Sequence, residues 1–472
     1  MKPIKIVLLN LICFSFVACA GKQTSSEEIL IQTDTTNIAT AVSIPDSFPI
    51  QKIIEHVICK TDATQSYALY IPSNNKSNAV IYFFDPHADG ALPLKKYKTL
   101  ADKYNYILIG SNNSKNGNDW QTTEHIWQSL FNDTQSRLQF DRNKIYTCGF
   151  SGGAKVASYI ALHDNNIKAV IAGGAGLPDE TQPGNFSFSF TAIAGKGDMN
   201  MTDLVAINNA LDNTQTKHRI IFFNGKHEWS PINIMDIAFA GLEFDAMRNN
   251  AIQKTGLMIN AFINNSKKRI DAAIKGNDYI QASNECILSI NMLNGIADAS
   301  WFKQKDDEIK KEPAYKNQLQ QQQQLFLTEQ NKKEEYNAQF QQGDMKYWTA
   351  TINDLKIKSK ALTPEASMYQ RLLAYLSLAF YSISNQFINN NQNKEAAYFV
   401  TLYKMADSTN SEAWYFSAIL DARNNNASAA KDDLIKAAEK GFNDTTRMLQ
   451  QPEFQNLQPT INFSDVEEKM QR

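Results

Sequence analysis

Five consecutive residues, Gly149-Phe150-Ser151-Gly152-Gly153, set a hydroxyl among three glycines. They follow the apolar run Ile145-Tyr146-Thr147-Cys148 and lead into Ala154-Lys155-Val156-Ala157-Ser158-Tyr159-Ile160-Ala161-Leu162, a stretch of helical character. A strand that turns sharply into a helix holds the serine at the turn clear of its sheet, and the flanking residues must be small to avoid the neighbouring backbone. Serine attacks only when a base takes its proton, and that base needs a third group to fix its tautomer. Ala192-Ile193-Ala194-Gly195-Lys196-Gly197-Asp198 places an acid just past one apolar run. Phe222-Phe223-Asn224-Gly225-Lys226-His227-Glu228-Trp229 places a histidine just past the next. Both fall at the carboxyl edge of a sheet, where Ser151 also lies. Asp179, on the preceding loop, is a rival acid. His218 precedes the strand that His227 follows, His163 ends a helix, His125 falls on a surface helix and His56 on an edge hairpin, so His227 is the expected base.

Negative charge develops on the attacked oxygen, and donors must meet it. The N–H of Gly152, next after the nucleophile, is one. The other is expected from Asp85-Pro86-His87-Ala88-Asp89-Gly90, the loop after the apolar run 79–84. Pro86 has no N–H, so His87 is the expected donor and Ala88 the alternative. Trp229 is expected to wall the pocket beside the base, with Phe150 as a further substrate contact. This chemistry implies no metal and no organic cofactor.

The run Phe140-Asp141-Arg142-Asn143-Lys144-Ile145-Tyr146-Thr147-Cys148-Gly149-Phe150-Ser151-Gly152-Gly153-Ala154 resembles the elbow region of secreted α/β-hydrolase esterases. The feruloyl esterase, polyhydroxybutyrate depolymerase and dienelactone hydrolase groups are the nearest in pattern. Gly225-Lys226-His227-Glu228-Trp229 is similar to their Gly-x-His-x-Trp base loop. The resemblance spans roughly residues 48–250. It implies a serine ester hydrolase with an acyl-enzyme intermediate; the loop at 85–90 departs from the usual His-Gly of such proteins.

The elements that must position these residues can be read from the alternation of apolar and amphipathic segments. Runs at 79–84, 106–109, 144–148, 169–172, 190–193 and 219–223 read as strands, with helical segments at 94–104, 125–138 and 152–162 between them. This predicts a mostly parallel sheet covered on both faces, an α/β fold, with an antiparallel edge hairpin over 53–59 and 66–71. From about Gly256 the strand signals stop and helical periodicity takes over. Residues 306–342 read as one long exposed helix, with a disordered glutamine tract as the alternative. Further helices are expected at 369–384, 394–406, 412–421 and 427–440. The last two, closed by Gly441, resemble a tetratricopeptide (TPR)-like hairpin, so the second half is expected to be a TPR-like helical array.

The 472-residue chain opens with the basic Met1-Lys2-Pro3-Ile4-Lys5 and an apolar run ending in Phe16-Val17-Ala18-Cys19. That run is short for a bilayer span and reads as an export signal. Its end resembles a bacterial lipoprotein signal, which implies lipidation of Cys19; an ordinary signal with an incidental cysteine is the alternative. The expected organisation is a signal at 1–18, a flexible tether at 19–48, an α/β-hydrolase domain at 49–252 and the helical region at 253–472. Cys59, Cys148 and Cys286 form neither a disulfide framework nor a metal-ligand spacing. A net charge of −2 without a basic stripe gives no reason to expect nucleic acid. The expected function is a lipid-anchored carboxylic ester hydrolase of the cell envelope. Its partners would be an ester substrate, the membrane through Cys19, and a protein met by the helical region. The alternatives are a serine peptidase of the same fold, and a non-catalytic binding protein that works through its helices.

Overall fold

Apolar residues run unbroken through 79–84 and nearly so through 106–110 and 145–150, as strands covered on both faces require. In the computed structural model, which describes residues 47–73, 78–457 and 462–470, these runs lie in one eight-stranded sheet. Its strands are β1 (Ile54–Ile58), β2 (Ser66–Tyr70), β3 (Ala79–Phe84), β4 (Tyr106–Ser111), β5 (Ile145–Phe150), β6 (Ile167–Gly173), β7 (Ser189–Gly195) and β8 (His218–Phe223). Their spatial order is β1-β2-β4-β3-β5-β6-β7-β8. Strands β3 to β8 are parallel, and β2 runs antiparallel to both β1 and β4, so the expected hairpin forms one sheet edge.

Five helices alternate with these strands: α1 (Ala91–Tyr104), α2 (Trp120–Arg137), α3 (Gly152–His163), α4 (Met201–Leu211) and α5 (Ile232–Arg248). Successive strand residues point to opposite faces, and the packing follows that period. Ile81 and Phe83 meet Leu94 and Tyr97 of α1 and Phe239 of α5 in one core. Val80, Tyr82 and Phe84 belong to the other, with Trp127 of α2, Ala154 of α3 and Leu204 of α4. Cys148 lies fully buried in the first core, and burial pushes its thiol well above the ordinary value, so it acts as a small hydrophobe.

Beyond α5 the described residues form only helices: α6 (Gly256–Lys275), α7 (Tyr279–Leu293), α8 (Ser300–Lys311), α9 (Pro313–Gln342), α10 (Met345–Lys358), α11 (Ala366–Asn389), α12 (Asn393–Ala406), α13 (Ser411–Arg423), α14 (Ala427–Glu439), α15 (Thr445–Gln450), α16 (Pro452–Leu457) and α17 (Ser464–Met470). The single helix expected over 306–342 is two. Glu312 has φ −62° and ψ 131°, because the ring of Pro313 excludes the helical conformation from the residue before it. The glutamine run lies inside helical α9.

The change of texture near residue 250 marks a change of secondary structure, whereas the core continues across it. Ile259 and Phe262 of α6, Cys286 of α7 and Phe302 of α8 share one apolar cluster with Phe239 and Phe244 of α5. A separate core starts at Tyr336 and Phe340 of α9 and runs through Trp348, Leu376, Phe380, Phe399 and Phe416 to Phe463. No helix among the described residues is long and apolar enough to cross a membrane. The signal at 1–18, Cys19 and nearly all of the tether lie outside the described residues.

Candidate active site

Ser151 stands on the turn between β5 and α3 with φ 54° and ψ −125°, a conformation an L residue holds only where its surroundings impose it. Its N–H donates to Gly173 O (2.8 Å) and its carbonyl accepts from Ala154 N–H (2.9 Å). The flanking glycines are required by close approach. A Cβ on Gly149 would lie 2.0 Å from Gly153 O, and one on Gly153 would lie 1.9 Å from Phe84 O.

Asp198 follows β7 and His227 follows β8, and the two loops are tied by Gly197 N–H donating to Gly225 O at 2.8 Å. His227 Nδ1 lies 3.0 Å from both carboxylate oxygens of Asp198, and its Nε2 lies 2.9 Å from Ser151 Oγ. A carboxylate only accepts, so Nδ1 carries the proton and Nε2 is left to accept from the serine hydroxyl. Asp198 is buried and also accepts the N–H of Asn200 at 2.9 Å. The rival groups are engaged elsewhere: Asp179 with Lys155 (2.6 Å), His218 with Asp212 (3.0 Å), His125 with Asp62 (3.0 Å) and His163 with Tyr159 O (2.8 Å). His56 stands on β1, against Asn112.

The loop after β3 is arranged differently from the expectation. Asp85, buried, accepts the His87 N–H on Oδ1 (2.8 Å) and the Trp229 indole N–H on Oδ2 (2.8 Å). Ala88 N–H donates to Asp85 O at 3.2 Å. Neither N–H proposed from the sequence as the second oxyanion donor is therefore free, because the turn closes on Asp85. The His87 side chain is 74% exposed, and the Asp85 carboxylate beside it holds its pKa above the ordinary histidine value. Gly152 begins α3, and its N–H meets no acceptor among the described residues, as the first turn of a helix allows.

Trp229 is half-buried, and its ring packs against Tyr97 and Phe150 as well as reaching Asp85. Phe150, expected to meet substrate, is 8% exposed and lies 4.7 Å from the His227 ring, centroid to centroid. It backs the imidazole, which leaves little of its ring to line an approach.

One residue that sequence reasoning passed over is Gly174, at the end of β6. Its φ is +65°, and a Cβ there would come 2.7 Å from Phe150 Cε2 and 3.1 Å from both Asp198 Oδ2 and His227 Cε1. Asn200 Nδ2 holds its carbonyl at 2.8 Å. The signal was a Gly-Gly pair after an apolar run, at the same sheet edge as Ser151, Asp198 and His227. Gly174→Ala is expected to force the Phe150 and His227 rings out of their places beside Asp198. It should also lower the melting temperature, since left-handed backbone costs a side chain about 1–2 kcal/mol. A crystal structure and a thermal melt of the variant check both.

The second half of the chain reaches the edge that carries these groups. Arg371 of α11 donates Nη1–H to Lys196 O (2.7 Å), two residues before Asp198. Lys115, bridged to His87 in a short antiparallel pairing, lies 3.9 Å from Asp444 at the start of α15. Among the described residues no group of three or more His, Cys, Asp or Glu is placed to hold a metal ion.

A mostly parallel eight-stranded sheet, with a strained serine after β5, an acid after β7 and a histidine after β8, is the α/β-hydrolase fold. No protein-family model matches the chain, and no curated protein matches it in sequence. Solved structures similar to part of it include a hyperthermophilic esterase from the archaeon Pyrobaculum calidifontis, at 10% identity and TM-score 0.33 over 42% of this chain and 85% of that one. A fungal esterase from Rhizomucor miehei is similar at 12% identity and TM-score 0.34 over 41% and 84%. A ferulic acid esterase is similar at 15% identity and TM-score 0.32 over 40% and 95%.

Proposed function

We propose that the protein is a serine hydrolase of carboxylic esters, in which Ser151 is the nucleophile, His227 the base and Asp198 the group that orients it. The observation that carries this reading is the continuous chain of contacts from Ser151 Oγ through both ring nitrogens of His227 to Asp198. In acylation a bond forms between Ser151 Oγ and the ester carbonyl carbon, the carbonyl π pair moves to oxygen, and the hydroxyl proton passes to His227 Nε2. Collapse of the tetrahedral species breaks the carbon–alkoxy bond, and the alcohol leaves with that proton. Water repeats the sequence on the acyl-enzyme, giving its proton to His227, and releases the acid with Ser151 restored. The Gly152 N–H is one donor to the oxyanion in both halves. On the same reading Cys19 carries lipid that anchors the protein to the cell envelope, and the helical region at 253–472 is the TPR-like region.

A fluorophosphonate probe tests the proposal. Stoichiometric labelling that disappears in Ser151→Ala, together with hydrolysis of p-nitrophenyl acetate faster than that of the matching anilide, is the expected result. Folded wild-type protein that neither labels nor hydrolyses the ester would leave a binding protein. Faster anilide hydrolysis would make it a peptidase.

A further inference from the structure

The oxyanion that forms on Ser151 has one unpartnered main-chain donor in sight, the Gly152 N–H. In the loop after β3, where a second is expected, Pro86 has no N–H, and those of His87 and Ala88 are spent on Asp85. Asp85 is itself fixed, because its second oxygen holds the Trp229 indole in the base loop. A different group stands beside Gly152. A Cβ on Gly152 would lie 1.9 Å from Asn116 Oδ1, 3.0 Å from its Cγ and 3.7 Å from its Nδ2, so the Asn116 amide rests directly against the residue after the nucleophile.

We propose that the side-chain amide of Asn116 is the second oxyanion donor, acting beside the Gly152 N–H; this rests on the serine-hydrolase reading above. Three features suit it to the role. Its position is fixed by its own backbone, since Asn116 N–H donates to Pro86 O (2.9 Å), Lys115 bridges His87, and Asn118 N–H closes the turn on Lys115 O (3.3 Å). Its side chain makes no hydrogen bond among the described residues, so an oxyanion takes it from water and from no protein partner. It is exposed at the mouth of the site, where substrate must arrive. The amide presents oxygen to Gly152 here, and half a turn about Cβ–Cγ exchanges oxygen for the Nδ2 donor. A carbonyl oxygen that gains charge favours that turn, whereas a ground-state carbonyl favours it less, and this difference accelerates a reaction.

The test uses the full chain with Asn116→Leu, which keeps the branched shape and removes both donors, and Asn116→Asp, which sets a negative charge against the oxyanion. Expected for both is a fall in kcat on p-nitrophenyl acetate of about 10²–10³-fold, with KM within about threefold and an unchanged thermal melt. Inhibition by an aryl trifluoromethyl ketone, which Ser151 converts to an anionic hemiketal, should weaken in parallel. Competition by the unreactive aryl methyl ketone should not move. A role in holding the loop alone would lower the melting temperature and affect both ketones alike, which overturns the proposal. So does a kcat within about threefold of wild type, because the donor is then a main-chain N–H of residues 85–90 released from Asp85. Wild-type protein that neither labels with fluorophosphonate nor turns over ester removes the serine-hydrolase reading and this proposal with it.

Discussion

Asp198→Asn is expected to lower kcat for ester hydrolysis about 10⁴-fold, a loss of roughly 5 kcal/mol of transition-state stabilisation. The carboxylate is 1% exposed, and both of its oxygens lie 3.0 Å from His227 Nδ1. It therefore forces the tautomer with the proton on Nδ1, and it meets the imidazolium with a full charge once the serine proton has moved. An asparagine amide fits the same space and still accepts the Asn200 N–H that Asp198 Oδ1 takes at 2.9 Å. Its NH₂ then faces Nδ1, the imidazole shifts its proton to Nε2, and the nitrogen 2.9 Å from Ser151 Oγ can no longer accept. KM and the melting temperature should change little, because the isosteric side chain keeps the packing. Asp179→Asn is the control: that carboxylate pairs with Lys155 on a part-exposed surface, so its loss should leave kcat within about twofold. A tenfold or smaller effect of Asp198→Asn would remove Asp198 from the assigned role.

How far the sequence foretold this arrangement follows from which interactions are local. The strand runs were legible because a buried parallel strand must be apolar on both faces, and β3 and β5 have no polar face at all. Ser151, Asp198 and His227 were legible because each follows directly on such a run, and parallel strands deliver their carboxyl ends to one edge. The break between α8 and α9 is also local: Pro313 prescribes it, although the polar composition of residues 306–342 reads through it. What could not be read is contact between distant segments. Nothing local says that Asp85 turns its carboxylate onto Trp229, 144 residues away, and so takes up the N–H expected for the oxyanion. Gly174 and Asn116 matter through what a Cβ or an amide would touch, and those neighbours come from other strands and loops. Likewise the amphipathic stripes of α6 to α8 predict helices without saying that their apolar faces complete the core under α5.

The reach of the helical half into the site makes Arg371 the most consequential residue outside it. Its side chain is 5% exposed, and Nε and Nη2 both bond Glu329 Oε2 of α9, at 2.8 and 2.6 Å. Glu329 is as deeply buried, with Lys333 Nζ 3.0 Å from its other oxygen. The third arm of the guanidinium holds Lys196 O in the acid loop. Removing one partner of a buried ion pair costs about 3–5 kcal/mol, because the other charge stays desolvated. Arg371→Met should therefore lower stability by about 3 kcal/mol, the lower end since Lys333 remains. Replacing both partners by apolar groups of like volume is often neutral, so Arg371→Met with Glu329→Met should recover most of the melting temperature. Activity should separate from stability in that double variant. Lys196 O would still lack its donor, leaving the Asp198 loop held from the sheet side, by Lys196 N–H to Phe223 O and Gly197 N–H to Gly225 O, and kcat should stay about tenfold down while the fold is restored. Denaturant unfolding and ester kinetics on the single and double variants read the two effects apart. Full recovery of kcat with stability would mean that α11 holds the molecule together without holding the acid in place.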